Sequence, residues 1–188
     1  MKVSREQVAL NRERIVETAA RLFREKGYDG IGVADLMKGA GLTHGGFYGH
    51  FESKEALLAE ACNKALLGAV QRWKDIVAKG PDTALKKIAG DYLSTHHRDR
   101  PGTGCAVIAL GADVARLGPD ARHALTDGTR AQMEILAGLM PGADAAERRQ
   151  RALVNYAAMV GAMLMARAVD DPALSEEVMQ AVGSSMQD

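Results

Sequence analysis

Apolar residues recur at the spacing of an α-helix along most of this chain. In the first such stretch, Ile15, Ala19, Leu22 and Phe23 stand at positions i, i+4, i+7 and i+8, with charged residues between them. That spacing places the four side chains on one face of a helix. Glycine or proline ends the successive stretches, and no convincing strand pattern interrupts them. The sequence therefore predicts an all-α protein.

The start and stop signals divide the chain into a series of predicted helices. The first ends at Gly27, and the others cover residues 33–40, 43–51, 53–79, 83–95, 105–117, 119–139, 144–169 and 172–184. Residues 98–104 are predicted as a break between two of them. No internal repeat or long linker separates these elements.

The composition is that of a globular chain. Of 188 residues, 47% are apolar and 26% are charged, which excludes a disordered, collagen-like or disulfide-rich protein. Aromatic residues make up only 4%, and this disfavours a β-sandwich or a barrel. Lysine plus arginine equals aspartate plus glutamate at 24 each, so net charge alone indicates no partner.

Nothing in the sequence predicts export or membrane insertion. The N-terminal residues are too rich in charge for a signal peptide. The longest charge-free apolar stretch worth noting, residues 156–166, is well short of the ~20 residues that span a membrane. Two cysteines cannot build a disulfide framework. We therefore expect a soluble cytoplasmic protein with no membrane partner.

Residues 33–51 carry the most informative pattern of the chain. Two short helices meet at a tight turn that holds Gly41, which is the sequence form of a helix-turn-helix. So short a turn drives one residue to positive φ, which glycine adopts without strain. We expect a small core of Leu36, Met37, Leu42, Phe47 and Phe51 packed on the first helix. The outward-facing residues are then Thr43, His44, Gly45, Tyr48, Gly49 and His50.

The second helix of this unit contains Gly45, Gly46 and Gly49, each of which costs roughly 1 kcal/mol relative to alanine. Packing by Phe47 and Phe51 must therefore hold the helix. Glycine leaves a bare surface for close approach of another molecule, and free amides at a helix start suit a phosphate oxygen. These features favour a recognition helix in the DNA major groove. A tight corner in a helical enzyme is the alternative that spacing alone leaves open.

The run from Arg12 through Leu58 resembles the N-terminal domain of the TetR family of bacterial transcriptional regulators. The matching motifs are Ile15-Val-Glu-Thr-Ala-Ala-Arg-Leu-Phe23, Lys26-Gly-Tyr28, Leu42-Thr-His-Gly-Gly-Phe-Tyr-Gly-His-Phe51 and Ser53-Lys-Glu-Ala-Leu-Leu58. The resemblance implies a helix-turn-helix DNA-binding domain over residues 1–53, joined by a long fourth helix to a helical ligand-binding and dimerisation domain over residues 54–188. It further implies a homodimer that binds double-stranded palindromic operator DNA in the bacterial nucleoid. A small-molecule effector usually releases such a repressor.

The resemblance also implies which residues contact DNA. They are Thr43, His44, Gly45, Gly46, Tyr48 and His50, with Lys54 on a phosphate at the start of the fourth helix. We expect Arg12 and Arg14, together with the N-terminal Lys2 and Arg5, to lie near other phosphates. Gly32, His44 and Gly49 depart from the family pattern, which affects the operator sequence rather than the mode of binding.

Residues 144–169 carry apolar side chains nearly all round, which indicates a helix buried on several sides. Small residues such as Ala157 and Gly161 allow another helix to approach closely. With the 119–139 helix as its neighbour, this helix is expected to form a four-helix dimer interface, an expectation that rests mostly on the resemblance.

An effector pocket is expected inside the bundle. The candidate lining residues are Trp73, Tyr92, Cys105, Tyr156, Met159 and Met163. Methionine adapts to irregular space, although side chains of these types also form ordinary core. Few charges fall within the apolar stripes, so an apolar or weakly polar ligand is favoured.

Cys105 follows the turn Pro101-Gly-Thr-Gly104 and is expected in the first turn of a helix, downstream of two histidines and two arginines. A helix N-terminus and nearby cations make a thiol reactive, which favours a redox or electrophile sensor. A small buried hydrophobic residue is the alternative. That structural role is the one expected for Cys62.

No motif for an enzyme or a metal site is present. The sequence lacks CxxC, HExxH, GxGxxG and GxxxxGK[ST] patterns, and the adjacent His96 and His97 point to different faces of a helix. We therefore expect a regulator that needs no cofactor or metal, rather than an enzyme. The alternatives are a helical ligand-binding module and a thiol-based enzyme, neither of which would bind DNA.

Overall fold

The computed structural model describes residues 4–186, and every regular element in that range is helical. The range holds nine α-helices and two short 3₁₀ helices but no strand, which confirms the all-α prediction. The α-helices are α1 (Arg5–Lys26), α2 (Val33–Gly39), α3 (Lys54–Lys79), α4 (Pro81–Tyr92), α5 (Thr95–Asp99), α6 (Ala106–Val114), α7 (Pro119–Leu139), α8 (Ala145–Ala168) and α9 (Pro172–Ser185). The 3₁₀ helices are His44–Gly49 and Pro101–Thr103. Lys2, expected near a phosphate, lies outside the described residues.

Local signals set the ends of the long helices. The side chains of Ser4, Ser53 and Asp144 accept hydrogen bonds from first-turn amides at the starts of α1, α3 and α8. Gly27, with φ of 75°, ends α1, and Gly41, with φ of 69°, makes the turn after α2. These are the positions where a positive φ requires glycine.

Two segments differ from the predicted helices. Residues 44–49 form a 3₁₀ helix instead of an α-helix. Its three glycines give this six-residue segment a low helix propensity, and short, weak helices commonly take the tighter form. The predicted 83–95 helix ends at Tyr92, because the Ser94 hydroxyl accepts a hydrogen bond from the His97 amide and starts the separate helix α5.

Apolar side chains form two buried clusters. The first joins α1, α2, the 44–49 helix and the start of α3, and it also includes Leu110 and Val114 of α6 and Ala121 of α7. It therefore extends beyond the domain boundary expected at residue 53. The second cluster surrounds Trp73 and Tyr156 and takes side chains from α4, α7, α8 and α9.

The helices α3 and α7 meet at a crossing where no side chain fits between them. A Cβ atom placed on Gly128 would lie 2.4 Å from the Cβ of Leu66, and both residues are buried. Glycine at position 128 is therefore what allows α7 to lie directly on α3.

The helix α8 has two apolar faces. One packs into the second cluster through residues such as Tyr156, Met159 and Met163. The other is open to solvent in the single chain and consists of Leu153, Val154, Ala157, Leu164 and Met165. Neither α8 nor any other helix within residues 4–186 has the length and apolar character to cross a membrane.

Candidate functional site

The helix-turn-helix unit is held by aromatic packing. Phe47 and Phe51 are buried with ring centroids 5.8 Å apart, and they belong to the same cluster as Leu36 and Met37. Leu42 is partly buried against that cluster. The fixed rings set the orientation of the backbone between them, so the opposite side of the 44–49 helix faces solvent.

The solvent-facing side of this helix carries three glycines and few large side chains. Tyr48 is 71% exposed and stands on edge against Phe47, with 5.2 Å between ring centroids. Thr43, His44, Gly45 and Gly46 are also exposed. A Cβ atom added to Gly45 or Gly49 would meet nothing within 4 Å. Packing within the chain therefore does not require glycine at these two positions.

His50 departs from the outward orientation predicted for it. The residue is only partly exposed, and its ring lies 6.3 Å from the ring of Phe51. Its Nδ1 atom is buried without a hydrogen-bond partner among the described residues. His50 therefore sits at the edge of this surface, with one nitrogen turned inward.

The basic residues predicted near DNA already have neighbours in the free chain. Arg12 forms an ion pair with Glu60 at 2.5 Å, and its guanidinium lies 4.8 Å from the centre of the Phe51 ring. Lys54 places its ammonium group 4.3 Å from the centre of the Tyr28 ring. The Arg14 guanidinium donates a hydrogen bond to a neighbouring asparagine on α1. Arg12 and Lys54 thus flank the unit, and both remain partly exposed.

A second concave site lies inside the helical bundle. It is a cavity of about 410 Å³ between α3, α4, α5, α7 and the loop before α6. Its lining residues are Ala69, Arg72, Trp73, Asp91, Tyr92, His96, His97, Thr103, Gly104, Cys105 and Gln132. The cavity brings together three of the predicted pocket residues, namely Trp73, Tyr92 and Cys105. Tyr156, Met159 and Met163 instead lie in the buried cluster beside it.

Cys105 is the residue that caps the start of α6, and its sulfur is buried in the cavity wall. Its amide donates a hydrogen bond of 2.9 Å to Nε2 of His97, whose Nδ1 lies 2.6 Å from the Tyr92 carbonyl oxygen. Both ring nitrogens are therefore used, which fits a neutral imidazole with the proton on Nδ1. Burial lowers the pKa of His97, and the charges of Arg167 and Arg72 lower it further.

Two arginines distant in sequence hold the helix α5 and the loop that follows it. Arg24 on α1 donates to the carbonyl of Gly102 at 3.0 Å, and Arg167 on α8 donates to the carbonyl of Arg98 at 3.1 Å. Burial lowers the pKa of both arginines, and the charge of Arg72 adds to the effect on Arg24. The sequence alone does not reveal either role, because no local pattern connects residues so far apart in the chain.

The hydroxyl and thiol groups around the cavity differ in their hydrogen bonding. Tyr156 donates to the Gln132 side chain at 3.0 Å. The Tyr92 hydroxyl is buried beside the Cys105 thiol and makes no hydrogen bond of good geometry to any described residue. Burial, and then the neighbouring thiol, raise the pKa of Tyr92. Cys62 lies outside the cavity, in the first buried cluster, where burial raises its pKa to about 12 and makes this thiol unreactive at neutral pH.

The helix α6 connects the cavity to the helix-turn-helix unit. It begins next to Cys105, and its Leu110 and Val114 are buried in the first cluster. Asp113 near its end accepts a hydrogen bond of 2.9 Å from the amide of Tyr28, directly after α1. A displacement of the cavity wall therefore has a short packed route to α1.

Known proteins are similar to this chain both in the helix-turn-helix unit and over most of its length. The profile of bacterial regulatory proteins of the tetR family matches residues 15–61, which include the whole helix-turn-helix unit. Over 166 residues the chain is 30% identical to the HTH-type transcriptional repressor NemR of Escherichia coli strain K12, a match that covers 83% of each chain.

Solved structures share the fold over nearly the full length. The crystal structure of E. coli NemR in its reduced form superposes with a TM-score of 0.79 at 24% identity, covering 94% of this chain and 95% of that one. A TetR transcriptional regulator from Chloroflexus aurantiacus superposes with a TM-score of 0.78 at 25% identity, covering 97% of each chain. The helical part beyond the helix-turn-helix is therefore shared as well.

Proposed function

Because this chain belongs to the TetR family of bacterial regulatory proteins and is a DNA-binding transcriptional repressor, we propose that its 44–49 helix is the segment that enters the major groove of a palindromic operator. The observation that carries this proposal is the bare, glycine-lined face of that helix above the buried rings of Phe47 and Phe51. Such a face lets the backbone come close to DNA, while the rings keep it rigid.

We assign different tasks to the side chains of this surface. Thr43, Tyr48 and the amides of Gly45 and Gly46 bind phosphate oxygens and fix the position of the helix. His44 projects from the first position of the helix and reads base edges. His50, at the edge of the surface, contacts DNA through the ring side that is not turned inward.

Lys54, Arg12 and Arg14 supply positive charge for the flanking phosphates. Arg12 must exchange Glu60 for a phosphate when DNA binds. A solvent-exposed ion pair contributes only about 0–1 kcal/mol, so this exchange costs little. Affinity for the operator is expected to fall steeply with salt, since each phosphate contact releases a counterion.

These two roles predict different effects of mutation on operator binding. Tyr48→Phe removes a phosphate donor and should weaken binding to all operator sequences by a similar factor, about three- to tenfold. His44→Ala should change the order of preference among sequences. Binding of both variants to a randomised operator library, measured by gel shift, tests this; identical relative affinities in the two variants would show the roles to be wrong.

The dimer is proposed to form through the exposed apolar face of α8 together with α9. That face consists of Leu153, Val154, Ala157, Leu164 and Met165, and α9 adds the exposed Leu174. The sequence favours the 119–139 helix as the second helix of the interface, but the larger apolar residues of α7, Leu125, Met133, Leu136 and Leu139, are buried or half-buried within the chain itself. This favours α9 as the second helix. In this view residues 1–53 bind DNA, and residues 54–188 bind the effector and the second subunit in the cytoplasm.

The effector is proposed to bind in the cavity and to act through α6. Ligand and operator favour different positions of this helix, so each weakens binding of the other by the same factor. The apolar ligand that the sequence favoured is less suited to this cavity, because Arg72, Asp91 and two histidines lie among its lining residues. Those polar residues fall outside the apolar helix stripes from which the expectation was formed.

Cys105 supports a second route to release, by reaction of its thiol with an oxidant or an electrophile. The supporting observation is its position at the start of α6, in the cavity wall and within the electrostatic reach of Arg24 and Arg167. Mild peroxide or an alkylating agent should release the operator from the wild type and from Cys62→Ser, but not from Cys105→Ser. Release that is unchanged in Cys105→Ser, followed by gel shift, would remove this route.

A further inference from the structure

We propose that the cavity selects a small organic monoanion: a carboxylate carried on an aromatic or apolar body, with a second acceptor oxygen further along the molecule. The carboxylate lies at Arg72 and the second oxygen at the Tyr92 hydroxyl. This inference rests on the proposed role of the cavity as the effector site and specifies the chemistry of the effector.

The first support is the charge around the cavity. Three guanidinium groups lie in or near this region, those of Arg24, Arg72 and Arg167. Burial is the main cause of the lowered pKa of His97 and of Arg24, and the charge of Arg72 adds to it in both cases. Arg24 and Arg167 donate to backbone carbonyls and form no direct ion pair among the described residues, so the carboxylates of Glu25 and Asp99 offset their charge only from a distance. Asp91 is the one carboxylate among the described lining residues, and it binds Lys87 at 2.7 Å. The cavity thus favours a negative ligand.

The second support is that Arg72 is unused. Within residues 4–186 its guanidinium makes no hydrogen bond and no ion pair, although it lines the cavity and remains exposed to solvent. A guanidinium is a planar fork of donors that matches a carboxylate in a bidentate arrangement. One free guanidinium fits one carboxylate, which is the reason for proposing a monoanion.

The third support is the Tyr92 hydroxyl. It is buried in the cavity wall and makes no hydrogen bond of good geometry in the described part of the chain; its neighbour there is the Cys105 thiol, a weak acceptor. A buried hydroxyl without a partner is unfavourable, and an acceptor oxygen on a ligand removes this penalty. The group donates at neutral pH, because burial raises the pKa of Tyr92.

The remaining wall determines the body of the ligand. The rings of Trp73 and Tyr92 lie with centroids 6.4 Å apart and form an aromatic corner. A volume of about 410 Å³ is at the lower end of the range for small-molecule sites. It accommodates one ring with a short chain rather than a polycyclic compound.

Calorimetric titration of the DNA-free protein with 4-phenylbutyrate and with its primary amide tests the first contact. The acid should bind at least about tenfold more tightly, the size expected for a charge-assisted hydrogen bond. Arg72→Gln should abolish this preference, whereas Lys74→Gln, an exposed neighbour on α3 outside the cavity, should retain it. Trp73, the single tryptophan of the chain, reports binding in the cavity through its fluorescence.

The second contact is tested with 3-benzoylpropionate, which carries a ketone where 4-phenylbutyrate has a methylene group. The ketone should improve affinity about three- to tenfold in the wild type, and not in Tyr92→Phe. The acid-over-amide preference should survive in Tyr92→Phe, because Arg72 is intact.

Three results would overturn the inference: equal affinity for acid and amide, an acid preference that persists in Arg72→Gln, or no saturable change with any of these acids at millimolar concentration. Gel shift with the operator is read separately. If the acids bind with the stated preference but do not release DNA, the anion site holds and regulation through the cavity fails. If neutral compounds release DNA and acids show no preference, the regulatory role holds and the anion site fails.

Discussion

The helix-turn-helix unit and the cavity both present hydrogen-bonding groups to a partner, but they are built in opposite ways. In the first, Phe47 supplies the packing and Tyr48, next to it, faces solvent, so the residue proposed to bind DNA is not the one that carries stability. In the second, His97 and Cys105 hold the loop and also line the cavity. Binding and stability should therefore separate under mutation in the DNA-binding unit and remain linked in the cavity.

The largest expected effect is in the DNA-binding unit. Phe47→Ala should lower the free energy of unfolding by about 3–5 kcal/mol, because the fully buried ring leaves a cavity. Tyr48→Ala should change it by less than about 0.5 kcal/mol, as for other exposed positions, yet it should weaken operator binding. Urea denaturation followed by circular dichroism, together with gel shift, measures both. A clear loss of stability in Tyr48→Ala would show that binding and stability are not separate in this unit.

A smaller effect is expected where α3 and α7 cross, since both helices contribute residues to both regions. Gly128→Ala should lower the free energy of unfolding by about 1–3 kcal/mol, because its Cβ would collide with Leu66 and overpack the crossing. Gly138→Ala on the same helix meets nothing within 4 Å and should stabilise by up to about 1 kcal/mol through helix propensity. Thermal unfolding of the two variants gives the comparison, and equal shifts would contradict the close packing.

The smallest effect concerns pH and is expected in the cavity region. Because burial holds the pKa of His97 below its ordinary value, the unfolded chain takes up a proton more readily than the folded one as pH falls below about 7. The contribution of His97 to the free energy of unfolding is therefore complete at neutral pH and is lost on acidification.

His97→Gln should reduce the slope of stability against pH between about pH 7 and pH 5, since the amide does not titrate there. His123→Gln, an exposed histidine on α7, serves as the control. Denaturation midpoints measured across this range provide the test. The same slope in His97→Gln and the wild type would show that the His97 ring does not cause the pH dependence of stability.

The two regions also differ in how far sequence alone predicts them. The helix-turn-helix follows from local signals, since Gly41, Phe47 and Phe51 lie within a few residues of one another. The cavity depends on Arg24 and Arg167, whose hydrogen bonds reach segments about 70 to 80 residues away. Helix periodicity reports which face of a helix is apolar. It therefore found Trp73 and Tyr92 but missed the adjacent Arg72.

The 3₁₀ form of residues 44–49 could not be predicted for a different reason. Glycine content indicates that the segment is a weak helix, but short, weak helices occur in both α and 3₁₀ forms, so helix propensity alone does not select between them. The domain boundary at residue 53 remains a prediction about function, because the first buried cluster continues into α6 and α7.

The nine-residue helix α6 is about 13 Å long, too short to bend along its length. In the proposed mechanism it moves as one rigid piece, so that a displacement near Cys105 tilts its other end at Val114. The helix-turn-helix unit then receives only the displacement of α6, whichever compound caused it. A repressor built this way can acquire a new inducer by changes in the cavity alone while it continues to recognise the same stretch of genome.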